Sequence, residues 1–229
     1  MSGADAIGYG PGCERSSSAR RLDGGADGDV LPQSGLTGPA EVRRAAFRWL
    51  LANGRAASSQ DLATGLRCSA EELLAAVESL AAAGSIRIDE DGRVFGSAGL
   101  SVVPDRHRIE IDGRTFWTWC AYDAVGILGA LEASGRALSR SPLTGAPIEV
   151  QFRAGRARPA GVVLFRPDDS YRQRCANLYE QWCPNSNFFE SRDTASAWMA
   201  ENRLDGRVLS LDEATDLAGS QWRPLLPVP

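Results

Sequence analysis

The sequence predicts an α+β fold in which a helical N-terminal module, winged-helix-like in outline, packs on a mixed-sheet domain. Two observations carry this. Between Pro39 and Gly84 apolar residues recur at helical spacing and a short hairpin follows. Beyond residue 100 the apolar period switches to two, in short alternating runs separated by Asp-Gly and Pro-containing turns, with helices between them. The expected division is a tail over 1–38, the helical module over 39–100 and the mixed-sheet domain over 101–229.

The tail is rich in Gly, Ser, Asp and Pro with almost no apolar periodicity, so it cannot offset the entropy of ordering and is expected to be flexible. Cys13 within it is read as incidental. The first helix carries Val42, Ala45, Ala46, Trp49 and Leu50 on one face and stops at Asn53-Gly54. Ser59 precedes a short second helix through Leu62 and Leu66. Ser69 opens the third as an N-cap, with acidic residues in the first turn and an apolar stripe of Leu73, Leu74, Val77 and Leu80. IRIDEDGRVF then reads as two strands about an Asp91-Gly92 turn. This outline suits a DNA-binding module, but the helix that would enter the major groove carries Glu71, Glu72 and Glu78 and no arginine. Groove recognition wants the opposite charge, so a structural or lid role is expected.

In the second half His107–Ile111 and Thr115–Trp117 flank Asp112-Gly113 as a hairpin, and a helix is expected from about Thr118 to Ala133. Strands follow at Ile148–Phe152, Gly161–Phe165, near Phe188 and at Val208–Ser210. Helices are expected from about Thr194 to Asn202 and from Leu211 onward.

Composition narrows the chemistry. A chain of 229 residues with 43% hydrophobic content supports one sizeable core or two modest domains. A net charge of −4 gives no positive field to gather nucleic acid or an anionic membrane, so neither is an expected partner. No run approaches about 18 apolar residues and no export signal is legible, so a cytoplasmic location is expected. Five cysteines, an odd and scattered set, argue for reduced thiols rather than a disulfide framework. All 25 basic residues are arginine. Without lysine there is no Schiff-base, pyridoxal-phosphate or P-loop chemistry. The single histidine, His107, rules out a His-rich zinc site and, lying in an alternating strand, reads as structural. Proton transfer must fall on carboxylates, thiols or tyrosines.

Two segments offer such groups. FWTWCAYDAVGILGALE places Cys120 and Asp123 three apart at a helix start, a spacing that sets a thiol beside a carboxyl. The helix N-terminus is expected to favour the thiolate, and Asp123 to oppose it, so that the pair shares a proton. EQWCPNSNFFES places Cys183 in an irregular stretch beside Trp182 and Phe188-Phe189, which suggests an apolar pocket. Cys175 is a weaker candidate, and by residue type alone each cysteine is as readily a core side chain.

From about Pro39 onward the chain resembles the organomercurial (alkylmercury) lyase family. The resemblance rests on Trp119-Cys120-Ala121-Tyr122-Asp123, Thr144-Gly145-Ala146-Pro147, and Trp182-Cys183 with Asn187-Phe188-Phe189-Glu190-Ser191. Ala197-Trp198 and Leu204-Asp205-Gly206 extend it toward the C-terminus. It implies a mixed-sheet catalytic domain of the alkylmercury lyase type over 101–229. It also implies that Cys120 and Cys183 are catalytic cysteines that bind mercury, and that Asp123 is the catalytic aspartate and a further ligand. The implied reaction is protonolysis of a carbon–mercury bond to a hydrocarbon and Hg(II). No cofactor is then required. Hg(II) is the bound product, the partners are a small organomercurial substrate and low-molecular-weight thiols or a mercuric reductase for hand-off, and the role is mercury detoxification. The chain departs from the family pattern at Ser141, where many members carry a further cysteine, and at Pro184-Asn185-Ser186, where familiar members carry a Cys- and His-containing run. Two alternatives use the same thiols: a non-catalytic soft-metal binding or transfer protein, and a relative that cleaves another carbon–heteroatom bond.

Overall fold

The computed structural model describes residues 38–66 and 68–227. The expected tail, with Cys13, lies outside the described residues except for Gly38.

Helix α1 (Pro39–Asn53) begins with Pro at its first turn and ends where Gly54 adopts φ 64° and returns its N–H to the Leu50 carbonyl. It buries Val42, Ala46, Phe47 and Leu50. Helix α2 (Ser59–Ala63) is shorter than expected, and its cap is Ser58, not Ser59, in a reciprocal capping box with Asp61. Helix α3 (Ala70–Ala82) is capped by Ser69 and Glu72 in the same way, as the sequence predicts. Strands β1 (Ile86–Ile88) and β2 (Val94–Ser97) pair as the expected hairpin.

The hairpin does not stand apart. A second tight turn at Ala98 (φ 50°) and Gly99 (φ 87°) leads into β3 (Leu100–Ser101), which pairs with β5 (Arg114–Thr118), itself the partner of β4 (His107–Ile111). With β6 (Gly135–Arg140), β7 (Pro147–Arg153) and β8 (Arg156–Arg158) these form one eight-stranded sheet in the order β1-β2-β3-β5-β4-β6-β7-β8. The line expected between two domains near residue 100 therefore falls inside a strand of a continuous sheet. A second sheet, β10-β9-β11, is built from β9 (Val163–Pro167), β10 (Asn187–Phe189) and β11 (Gly206–Ser210).

Every strand pairing among the described residues is antiparallel, so the sheets are not mixed as the sequence reading expected. The reason is connectivity: neighbours in the large sheet are joined mostly by short turns, whereas parallel pairs need long crossovers. The fold is α+β.

Helix α4 (Ala121–Ala130) lies at the centre of the core and is buried on nearly every side. It is shorter than the span expected from Thr118 to Ala133, because the chain before Ala121 is still extended at Cys120 (φ −150°, ψ 169°). Against it packs α7 (Leu211–Trp222). The approach is close: a Cβ at Gly126 would lie 2.4 Å from the Trp222 ring. The remaining helices are α5 (Asp169–Arg174), which the sequence reading did not anticipate, and α6 (Arg192–Asn202), capped by Ser191. His107 is buried in β4, with Nδ1 2.8 Å from the Ser139 hydroxyl. Burial lowers its pKa to about 3, so it is a neutral core residue.

Candidate active site

Cys120 is the N-cap of α4 rather than a residue of its first turn. Its sulfur accepts the Asp123 backbone N–H at 3.4 Å, and the Asp123 carboxylate accepts the Cys120 backbone N–H at 3.0 Å. A thiol thus takes the place of the usual Ser or Thr hydroxyl in a capping box. This reciprocal lock, not two neighbouring positions on one helix face, holds sulfur and carboxylate together.

Cys183 arrives from a different direction. It is not in an open loop: a single π-helical turn (Leu178–Trp182) runs into a 3-10 turn (Cys183–Asn185), and the cysteine at the junction is 4% exposed. The two cysteine-bearing segments are joined where the Ala121 N–H donates to the Ser186 carbonyl at 3.0 Å. The Pro184-Asn185-Ser186 run that departs from the family pattern braces this junction. The Asn185 amide donates to the Gln181 carbonyl at 2.8 Å and to the Tyr171 hydroxyl at 3.0 Å, and the Asn187 amide donates to the Pro184 carbonyl at 2.7 Å. As a result, one sulfur each from Cys120 and Cys183 and an oxygen of Asp123 all lie within 4.8 Å of one another, buried.

The electrostatics differ from the sequence expectation for Cys120. Its thiol is pushed well above the usual cysteine range, first by burial, then by its hydrogen bond with Cys183 and by the Asp123 charge. The helix N-terminus does not offset these, because a fully buried thiolate loses its hydration. For Cys183 the contact with the Cys120 thiol pulls the pKa down, but burial and Asp123 outweigh it and the net shift is upward. Asp123 is raised to about 6, by burial first, with the Cys120 hydrogen bonds and the Arg172 charge opposing. The resting site therefore holds two protonated thiols beside a carboxyl poised near neutrality.

Above this trio lies a cavity of about 170 Å³ walled by Trp119, Tyr122, Trp182, Trp222 and Leu225. Its floor includes Asp123 and Cys183, and Arg43 and Arg172 also line it. The turn at Ala98-Gly99 presses on the carboxylate so closely that a Cβ at Gly99 would sit 2.2 Å from the Asp123 Cγ. The Trp222 indole N–H fixes that turn by donating to the Ala98 carbonyl at 2.8 Å.

The family model for alkylmercury lyase matches residues 100–222, more than half of the chain. The chain belongs to the alkylmercury lyase family. An alkylmercury lyase of Bacillus cereus is 31% identical over 173 residues, 73% of this chain and 75% of that protein. One of Pseudomonas putida is 32% identical over 153 residues, 65% and 68% of the two chains. Among solved structures, the mercury-bound form of MerB2 superposes with a TM-score of 0.72 at 26% identity, covering 83% of this chain and 93% of that one. The chain is accordingly an enzyme of the lyase class that these relatives share.

The structure brings together all three residues singled out in the sequence, Cys120, Asp123 and Cys183. Cys175 is absent from the cluster; it is half-buried, its thiol directed at the Tyr171 carbonyl at 3.3 Å. Sequence reasoning missed Arg43, Gly99, Arg172 and Trp222. Of these only Gly99 left a trace, as a glycine between two strand-like runs, where a positive φ is common.

Proposed function

We propose that the chain cleaves the carbon–mercury bond of small organomercurials, giving a hydrocarbon and Hg(II), with Cys120 and Cys183 as mercury ligands and Asp123 as the proton carrier. The observation that carries this is the buried trio, two sulfurs and one carboxylate oxygen within 4.8 Å, of which Asp123 and Cys183 line an aromatic cavity. Mercury is a soft cation that thiolates hold far better than oxygen or nitrogen donors do. Cavities of about 150 Å³ accept benzene, so the one above the trio suits a phenyl-sized group.

The steps follow from the charges. Substrate arrives as R–Hg–SR′, with R′SH a small thiol. The Cys120 thiol gives its proton to ionised Asp123, and its sulfur forms a bond to mercury as R′S⁻ departs. Cys183 then binds the metal, and its proton leaves with R′S⁻ as R′SH. Two thiolates raise the electron density on mercury, and the carbon–mercury bond polarises toward carbon. Asp123 returns its proton to that carbon, RH forms, and Hg(II) remains on the two sulfurs with the carboxylate as a further ligand. Two thiol protons enter the balance, one ending on RH and the other on R′SH. A carboxyl with a pKa of about 6 suits both halves of this relay, being ionised enough at pH 7 to accept and acidic enough to donate.

No resident cofactor enters this scheme. Hg(II) leaves by exchange onto low-molecular-weight thiols or a mercuric reductase, in keeping with a cytoplasmic detoxifying role. Residues 39–100 are read as a winged-helix-like unit serving the catalytic domain of 101–229, because their β2–β3 turn and Arg43 both face the site. Nucleic acid and membrane have no part in it. No helix of the described residues is long and apolar enough to cross a membrane.

The deciding experiment incubates the protein with phenylmercury and excess 2-mercaptoethanol and measures benzene beside Cys120→Ala. Benzene from the wild type alone is expected; equal yields refute the assignment. Asp123→Asn separates lyase from sequestration, since mercury should still be held by the two sulfurs while arene release falls steeply.

A further inference from the structure

The three reactive groups do not account for the whole cavity. Arg43 of α1 and Arg172 of α5 line the same space from opposite parts of the chain. Neither guanidinium makes an ion pair or hydrogen bond among the described residues; Arg172 has only the Trp182 ring, 5.9 Å away. They act on each other: Arg43 is lowered below the usual arginine range by burial first and by the charge of Arg172 next, with Asp123 the opposing influence. Two cations line one cavity with a single carboxylate, Asp123, between their opposing influences, and they repel each other. An anion placed between them would relieve that repulsion and gain charge-assisted hydrogen bonds. Depth orders the site, because Cys120, Cys183 and Asp123 are buried, Arg43 is half-buried and Arg172 is exposed. The arginines thus line the more exposed side of the cavity, and Asp123 and Cys183 its buried side.

We propose that Arg43 and Arg172 bind a carboxylate that enters with mercury, carried on the organic group or on the thiol that delivers it. This rests on the lyase reading for what enters, but the pair is built from this chain's own residues. Guanidinium is suited to it, since its planar fork of donors matches a carboxylate.

The test compares kcat/KM for 4-carboxyphenylmercury and phenylmercury, both delivered by neutral 2-mercaptoethanol, and then for phenylmercury delivered by mercaptoacetate or 2-mercaptoethanol. Wild-type protein is expected to prefer the carboxylated member in one arm or both by about ten-fold to a hundred-fold, mainly through KM. The arm that responds tells which molecule carries the carboxylate. Arg43→Gln and Arg172→Gln should bring the ratio near one, whatever happens to absolute rates, and Arg43→Lys should restore part of it. A wild-type ratio near one in both arms, or a ratio unchanged in both Gln variants, overturns the proposal. Calorimetric binding of benzoate against benzamide needs no turnover: benzoate should bind at least about ten-fold more tightly, and equal affinities overturn the proposal. If no arene is released from any mercurial while benzoate is still preferred, the lyase reading fails and the carboxylate site stands.

Discussion

Replacing Asp123 by Asn should stabilise the protein while disabling it, and the size of the gain follows from the burial of one carboxylate. Asp123 is 5% exposed and its pKa rises from 3.8 to about 6 on folding. Two pKa units and a little more correspond to about 3 kcal/mol of destabilisation of the ionised form. Because the folded pKa lies above the unfolded one, the folded state binds more protons between them, and wild-type stability falls as pH rises from about 4 to about 6. Asn is nearly isosteric, keeps an oxygen to accept the Cys120 N–H, and does not titrate. The stability difference, Asn variant minus wild type, should therefore be small at pH 4, grow through pH 6 and level off near 3 kcal/mol above it. Urea unfolding at pH 4, 5, 6, 7 and 8 measures it, read alongside arene release from phenylmercury, which should fall on the order of 10²-fold to 10⁴-fold. A difference that is flat in pH, or that shrinks as pH rises, refutes the claim that this carboxylate is held against its own desolvation.

The same carboxyl sets an acid limb: kcat/KM should decline below pH 6, where Asp123 is already protonated before substrate arrives, and a profile flat down to pH 5 would contradict its role as acceptor. Gly99→Ala places a methyl 2.2 Å from the Asp123 Cγ at φ 87°, so a loss of about 1–3 kcal/mol or more in urea unfolding is expected together with depressed turnover; retention of both would show that the turn yields without disturbing the site. Burial raises both site thiols, so iodoacetamide at pH 8 should label Cys120 and Cys183 more slowly than half-buried Cys68 and Cys175, as read by peptide mass spectrometry; faster labelling of Cys120 would mean its thiolate is stabilised after all.

Local chemistry is what the sequence by itself determined. The Ser69 cap, the Asp91-Gly92 and Asp112-Gly113 turns, and the stop at Gly54 each depend on residues a few positions apart, and all appear where the residue types place them. Cys120 and Asp123 belong with these, since a capping box is a four-residue device; only its form, with cysteine as the cap itself, differs from a shared helix face. Composition narrows the chemistry in the same way, because a chain without lysine and with one histidine leaves carboxylates, thiols or tyrosines for proton transfer.

What depends on distant parts of the chain was decided only by the tertiary structure. Strands β3, β6 and β8 are short or weakly apolar and take their conformation from sheet neighbours, and the antiparallel sense of both sheets follows from which edges meet. Whether Cys183 reaches Cys120 rests on one hydrogen bond across the core, Ala121 to Ser186, and on the braced turn between them. Local preference favours an ionised Cys120 at a helix start, yet desolvation reverses it, because burial is a property of the whole fold and costs a charge more than half a helix dipole returns. For the same reason Arg43 and Arg172, 129 positions apart, carry no common signal in the sequence and line one cavity only once α1 and α5 have been brought together by the fold.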